Sequence, residues 1–277
     1  MIIFGGSGQL GRSLSSVFHD AVPYSHSLSD RVADITNIKK LKEIFELEKP
    51  EIVVNASAFT NVDACESKKE MAFSVNSLGV RNIAMLSRRY SSKFIHFSTD
   101  YVFNGLNGIY LEDSIPDPIN YYGFSKSIGD AYALSLQSSL VIRTSGVYGY
   151  GKNFPRFVYD NLKAGKNVNV IEGYYSPITS DLLAQSVKHL INRDAEISGI
   201  LNIAGERISR FDLARTIART FDLNQDLIVG TKRLANMKAL RPYDSSLDIS
   251  RAKKAINLDF YSVVANMNSF RIMLNTS

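Results

Sequence analysis

The order of elements along this chain predicts an α/β fold: a doubly wound parallel sheet carrying a smaller second lobe. Three observations support it. Apolar runs suited to buried strands alternate with segments of helical spacing over the first 150 residues. A glycine-rich turn, Gly5-Gly-Ser-Gly8-Gln-Leu-Gly11, joins the first apolar run to the first helical segment. The chain has 277 residues, near the length at which a single core divides.

Residues 1–4, Met-Ile-Ile-Phe, read as a strand covered on both faces, because such a strand is apolar at every position. Residues 9–17 place Leu10, Leu14 and Val17 at helical spacing. In the turn between them, Gly5 permits the tight bend, Gly8 lets backbone approach a pyrophosphate, and Gly11 allows close helix–strand packing. The helix then turns its free N–H groups, with Ser7, Gln9 and Leu10 beside them, toward a phosphate. This is the dinucleotide-binding (Rossmann) arrangement.

Strands follow at 21–24, 51–56, 93–98 and 140–144. Helices are expected at 38–47, from Met71 and Ala72 on through 81–89, and at 121–136. Crossovers are expected to be right-handed, with ligands at the carboxyl ends of the strands. Polar clusters stand at three of those ends: Asn55-Ala56-Ser57, Ser98-Thr99-Asp100 and Thr144 to Tyr148. Residues 1–150 are therefore expected to form an NAD(P)-binding domain. Beyond them the alternation loosens. Helices at 153–164, 181–192 and 210–221, with short strands at 168–171 and 200–203, read mainly as a substrate lobe over 151–277, with segments crossing back. Residues 173–177 and 239–247 read as loops.

Tyr122-Gly-Phe-Ser-Lys126 sets a phenol and an ammonium on one helix face. A free tyrosine, with a pKa of about 10, transfers protons poorly at neutral pH. A neighbouring ammonium is expected to pull that value down. The spacing alone is common, but it falls here with the glycine turn and the polar strand ends. Tyr121 lacks such a partner, since Ser125 stands four residues on.

Composition narrows the classes. Net charge is +5, with no block of basic residues interleaved with aromatics, which argues against nucleic acid. No stretch approaches the ~20 apolar residues of a membrane span. One cysteine, Cys65, excludes an internal disulfide and suits a reducing, cytoplasmic setting. The first strand begins at residue 1, leaving no room for a signal peptide. His19, His26, His96 and His189 are scattered, so no metal site is expected.

Taken together, these stretches resemble the dTDP-4-dehydrorhamnose reductase family of the extended short-chain dehydrogenase/reductases. The matching pieces run nearly end to end: residues 8–11; Asp34-Ile35-Thr36, where that family places adenine; 55–63; Val75-Asn76 with Gly79 and Asn82; 98–105; 118–126; Arg143-Thr-Ser145; 147–149; Arg241-Pro242; and 246–248. The resemblance implies Thr99, Tyr122 and Lys126 as a catalytic triad. NADPH, or NADH, would donate hydride to a 4-keto nucleotide sugar. Cofactor contacts would come from Gly5, Ser7, Gly8, Gln9, Leu10, Gly11, Asp34, Ile35, Asn55, Ala56, Ser57, Asn76, Tyr122 and Lys126. NADPH is favoured because no carboxylate ends the second strand at Tyr24-Ser-His26. A nucleotide sugar is the expected partner, with no nucleic acid and no membrane; a homodimer stays open.

The chain departs from the family pattern at two places. A tryptophan that packs on the sugar usually stands between Ser145 and Val147; here the residue is Gly146, and the chain has no tryptophan. The usual Asp-Gln before a Pro-Thr pair is replaced over residues 172–178. The sugar would then rest on other aromatics: Tyr101 and Tyr148, with Tyr174 and Tyr175 as further candidates. Other readings are an epimerase, a dehydratase, disfavoured by Asp100-Tyr101 in place of an Asp-Glu pair, and a regulatory protein like the methionine adenosyltransferase β subunit.

Overall fold

In a computed structural model, which describes all residues except 29, 193–197, 233, 235, 236, 276 and 277, six parallel strands form the central sheet. Five are the predicted ones: β1 (Ile2–Phe4), β2 (Val22–Tyr24), β3 (Ile52–Asn55), β4 (Lys93–Phe97) and β5 (Ser139–Arg143). The sixth, Gly199–Asn202, returns from late in the chain to pair with β5. The order is Gly199–Asn202, β5, β4, β3, β1, β2. It reverses direction at β1 and β3, a switch point that opens a crevice at their carboxyl ends.

Alternation along the strands sends side chains to opposite faces. Ile2, Phe4, Val53, Phe94 and Val141 pack with Leu41 and Phe45 of α2 (Ile38–Glu48) and with Ile83 of a later helix, Val80–Arg89. Ile3, Val54, Ile95 and Ile142 pack on the other face with Leu14 of α1 (Gln9–Val17) and with Leu183 and Val187 of the helix Ser180–Ile191. Each large side chain so buried contributes about 1.5–3 kcal/mol. Among the described residues no helix is long and apolar enough to cross a membrane.

The helix expected from Met71 to Arg89 is three pieces. The α-helix Lys69–Phe73 passes through a π-helical stretch, Ser74–Gly79, into Val80–Arg89. That turn swings Asn76 and Ser77 toward the helix Tyr121–Leu134, where Ser77 Oγ donates to the Ser125 carbonyl at 2.7 Å. Wide turns of this kind frequently mark functional sites.

A separate apolar cluster joins the helices Phe154–Lys163, Arg210–Thr220 and Val263–Asn275 through Val158, Leu162, Leu213, Ile217, Met267 and Phe270. Val168–Ile171 and Ile228–Thr231 pair in parallel beside it. Residues 173–177 are more ordered than a loop: Tyr174–Tyr175 pairs antiparallel with Ile208–Ser209.

Candidate active site

A cleft of about 770 Å³ opens over the carboxyl ends of β1, β2 and β3. Gly5, Ser7 and Gly8 form one wall, Asp34, Ile35 and Thr36 another, and Ala56 and Ser57 the floor. Gly5 holds φ +88° against the Ala56–Ser57 peptide, where a Cβ would sit 2.7 Å from backbone. Gly8 is exposed, and a Cβ there would meet only the Gly5 carbonyl, at 3.3 Å. No side chain caps α1, whose N-cap residue Gly8 lines the cleft, so its first-turn N–H groups are unclaimed by a cap. These features fit a dinucleotide: open backbone at the phosphate position and a slot at Asp34–Thr36. Asp34 Oδ1 accepts from Thr36 N (2.9 Å) and Thr36 Oγ1 (2.8 Å), which holds the slot's shape. At the end of β2, Ser25 and His26 line the cleft, without a carboxylate.

Two asparagines expected to touch the cofactor are instead spent on the protein. Asn55 is fully buried; its Oδ1 accepts from Ser57 N (3.1 Å) and its amide nitrogen bonds His96 Nδ1 (3.1 Å). Asn76 clamps both backbone groups of Phe59 and bonds Ser125 Oγ. Both brace the cleft from behind, since the hydrogen bonds their amides make run to the protein itself.

Thr99 and Tyr122 come together just past the end of β4, and Lys126 reaches the same strand end at the Phe97 carbonyl. Thr99 ends β4 and caps the following turn, its Oγ1 accepting from Tyr101 N at 3.2 Å. Tyr122 and Lys126 lie in the first turns of Tyr121–Leu134. That helix starts at Asn120, whose Oδ1 accepts from Gly123 N (2.9 Å), and Glu66 accepts from Tyr121 N (2.8 Å). Two glycines let the helix reach the strand end. A Cβ on Gly123 would stand 2.0 Å from the Tyr101 carbonyl, and one on Gly129 2.2 Å from the Asn76 carbonyl. The Tyr101 ring meets the Tyr122 ring edge-on at 6.0 Å. Tyr121 instead faces Lys69, 5.3 Å from its ring centre.

Electrostatics at the triad differ from the simple Tyr–Lys expectation. Burial pushes the Tyr122 phenol above its ordinary value, opposed by the Thr99 hydroxyl and reinforced by Asp100. Lys126 is nearly inaccessible, and burial pushes its ammonium down to about 8 despite Asp130. Its Nζ donates to the Phe97 carbonyl at 2.6 Å and lies 3.4 Å from His96 Nε2. The lysine is thus aimed at the strand end, and Tyr122 is held as a protonated acid. His96, Asp130 and Asp100 were missed as candidates. Asp130 carried a readable signal, standing one helical turn beyond Lys126. Asp100 is buried, its Oδ2 accepting from Ser145 Oγ and Ser245 Oγ, both at 2.6 Å. It therefore ties β4, β5 and the distal segment together.

The lysine's environment predicts a pH signature. An unfolded lysine titrates near 10.4. Below about pH 8 both states keep the proton, and the native state carries the full cost of the buried charge. As pH rises from 8 toward 10.4 the native state releases its proton first, and that cost shrinks. The shift from 10.5 to about 8 corresponds to at most about 3 kcal/mol. Wild type should therefore gain stability relative to Lys126→Met between pH 8 and 10. Denaturant unfolding at pH 7, 8.5 and 10 checks this; a difference constant with pH contradicts it.

Two expected sugar contacts also part company. Tyr101 faces the catalytic groups. Tyr148, 1% exposed, packs edge-to-face on Phe270 in the apolar cluster of Val158 and Met267, away from the catalytic groups. Tyr174 is half-buried under Arg207, whose guanidinium lies 3.7 Å from its ring centre. Among the described residues no cluster of metal-ligating side chains occurs.

The chain is similar to known proteins over nearly its whole length. A family model described as the RmlD substrate binding domain matches residues 1–268. The dTDP-4-dehydrorhamnose reductase of Aggregatibacter actinomycetemcomitans is 31% identical over 98% of either chain. That of Salmonella typhimurium is 30% identical, covering 93% of this chain and 92% of its own. Among solved structures, a hypothetical dTDP-4-dehydrorhamnose reductase from Sulfolobus tokodaii superposes with a TM-score of 0.91 at 41% identity, covering 97% of this chain and 98% of its own. The Bacillus anthracis dTDP-4-dehydrorhamnose reductase, solved in complex with NADP, gives 0.88 at 27% identity, covering 100% of this chain and 97% of its own.

Proposed function

The chain belongs to the family described as the RmlD substrate binding domain, and on that footing we propose that it reduces the 4-keto group of a nucleotide-diphospho-deoxysugar with NADPH, converting dTDP-4-dehydrorhamnose to dTDP-rhamnose. The observation that supports the reading is the Tyr122 phenol beside the Thr99 hydroxyl, with Lys126 four residues on in the same helix and anchored on the Phe97 carbonyl at the end of β4. The relatives' names support the substrate, and the NADP complex supports the cofactor.

Bound NADPH supplies the hydride. The chain's own residues do the rest. The glycine turn and the start of α1 would hold the pyrophosphate, and Asp34–Thr36 would frame the adenine. The absence of a carboxylate after β2 favours NADPH over NADH. Tyr122, kept protonated by burial, gives its proton to the C4 oxygen as negative charge grows there. Thr99 donates a second hydrogen bond to the same oxygen. Lys126, anchored on the Phe97 carbonyl, would have N–H groups left to hold the nicotinamide ribose hydroxyls. Ketone, hydride and proton add up to the alcohol. Asp100, with one oxygen committed to two serine hydroxyls, is poorly placed as the free acid a dehydratase needs. The single buried Cys65 suits work in a reducing cytoplasm.

The test is NADPH oxidation across a panel of dTDP- and UDP-linked 4-keto sugars. Consumption with a dTDP-4-keto-6-deoxy sugar is expected. Tight NADPH binding with no consumption by any member would replace the enzyme reading with that of a binding protein.

A further inference from the structure

Gly146 and Tyr175 share one volume. A Cβ on Gly146 would lie 2.7 Å from Cε2 and 3.1 Å from Cδ2 of Tyr175. Position 146 carries no side chain, and an aromatic ring from another element stands against it. The ring is fixed there. Tyr174–Tyr175 is paired with Ile208–Ser209, and the next backbone N–H, of Ser176, donates to Ser145 Oγ at 3.1 Å. Ser145 Oγ in turn donates to Asp100 Oδ2, and Thr99 Oγ1 reaches Asp100 Oδ1 at 3.2 Å. A continuous chain of contacts therefore sets Tyr175 beside the catalytic strand ends.

Two polar atoms at this place are unused. The Tyr175 hydroxyl and Arg210 Nη1 are both buried and have no hydrogen-bond partner among the described residues. The Arg210 guanidinium carbon lies 4.9 Å from the Tyr175 ring centre. Room for it comes from Gly173, at φ +128°, where a Cβ would stand 2.7 Å from Nη1. Native proteins rarely leave such donors orphaned, because burial removes their water without replacing it. Two unpartnered donors on neighbouring side chains suit a ligand that offers several acceptor oxygens. A pyranose ring offers them.

We propose that Tyr175, together with Arg210, is the sugar-holding and specificity-determining element of this site: its ring takes the place a side chain at 146 would fill, and its hydroxyl and the guanidinium bond hydroxyls of the hexose. This deepens the nucleotide-sugar reading and rests on it. The ligand class is a hexose that keeps free hydroxyls beside the reacting carbon.

The test uses the full chain and calorimetric titration with dTDP-glucose, which carries no ketone to reduce, and with dTDP alone. Tyr175→Phe should weaken dTDP-glucose about tenfold, the worth of one buried hydrogen bond. It should leave dTDP and NADPH affinities within about twofold, since it removes one oxygen from the sugar end only. Its melting temperature should be unchanged or raised, because an orphaned hydroxyl is lost; a merely structural tyrosine would lower it. Arg210→Met should show the same sugar-selective loss. In turnover, KM for the 4-keto sugar should rise with kcat changed less. If Tyr175→Phe and Arg210→Met bind dTDP-glucose as wild type does, the inference is overturned while the reductase reading stands. If wild type binds dTDP-glucose no better than dTDP, the inference is also overturned. If the selective loss appears but wild type reduces no 4-keto sugar, the sugar site stands and the reductase reading falls.

Discussion

Tyr122→Phe should lower kcat by about 10²–10⁴-fold, the usual worth of a positioned acid, while NADPH affinity stays near that of wild type. The substitution deletes one oxygen and keeps the ring against Tyr101. Burial holds the Tyr122 phenol protonated, so its value to the reaction is the proton it gives, and phenylalanine has none. Two companions make the result interpretable. Tyr121→Phe alters the neighbouring residue, whose ring faces Lys69 outside the triad, and should leave turnover nearly intact. Lys126→Met should damage both turnover and cofactor affinity. Steady-state turnover and NADPH titration on the three variants give the pattern. A Tyr122→Phe enzyme as fast as wild type would remove the tyrosine from the proton-transfer role.

Gly8→Val should fold and lose NADPH affinity by roughly 100-fold or more, equivalent to about 2.7 kcal/mol. Gly11→Ala should fail earlier, in folding. The difference follows from what each Cβ meets. At Gly8 it projects into open space at the phosphate position, with only the Gly5 carbonyl near, at 3.3 Å. At Gly11 it would stand 2.1 Å from the Gly5 carbonyl and 2.7 Å from Gly6 Cα, inside any tolerable contact. Thermal melting and cofactor titration separate the two. A Gly8→Val protein that binds NADPH normally would place the pyrophosphate elsewhere.

Much of the fold was legible because its signals are local. Fully buried parallel strands are apolar at every position, so β1, β3 and β5 stand out within a residue or two of their ends. The limits of α1 follow from the glycine turn before it and the apolar spacing within it. What was not legible depends on distant packing. Gly199–Asn202 reads like any short strand, and only β5's free edge makes it the sixth member of the sheet. Helical spacing cannot distinguish an α turn from the π turn at Ser74–Gly79. The spacing of Tyr122 and Lys126 was legible, but the electrostatics were not: burial raises the Tyr122 phenol against the opposing Thr99 hydroxyl, and Asp100 adds to the rise. Tyr148 and Tyr175 look alike in sequence and share one apolar cluster; only the packed structure sets one ring against Phe270 and the other over Gly146.

On this mechanism hydride passes from bound cofactor to carbon 4 of a nucleotide sugar, and Tyr122 protonates the oxygen. Deuterated NADPH, labelled at the transferring position of the nicotinamide, tests it most directly. With dTDP-4-dehydrorhamnose as substrate, the product should carry one deuterium on carbon 4, with one cofactor oxidised per sugar reduced and the label absent when Tyr122→Phe replaces wild type over the same interval. A sugar product without deuterium, formed while the NADPH pool stays constant, would contradict the account and identify an epimerase-like cycle.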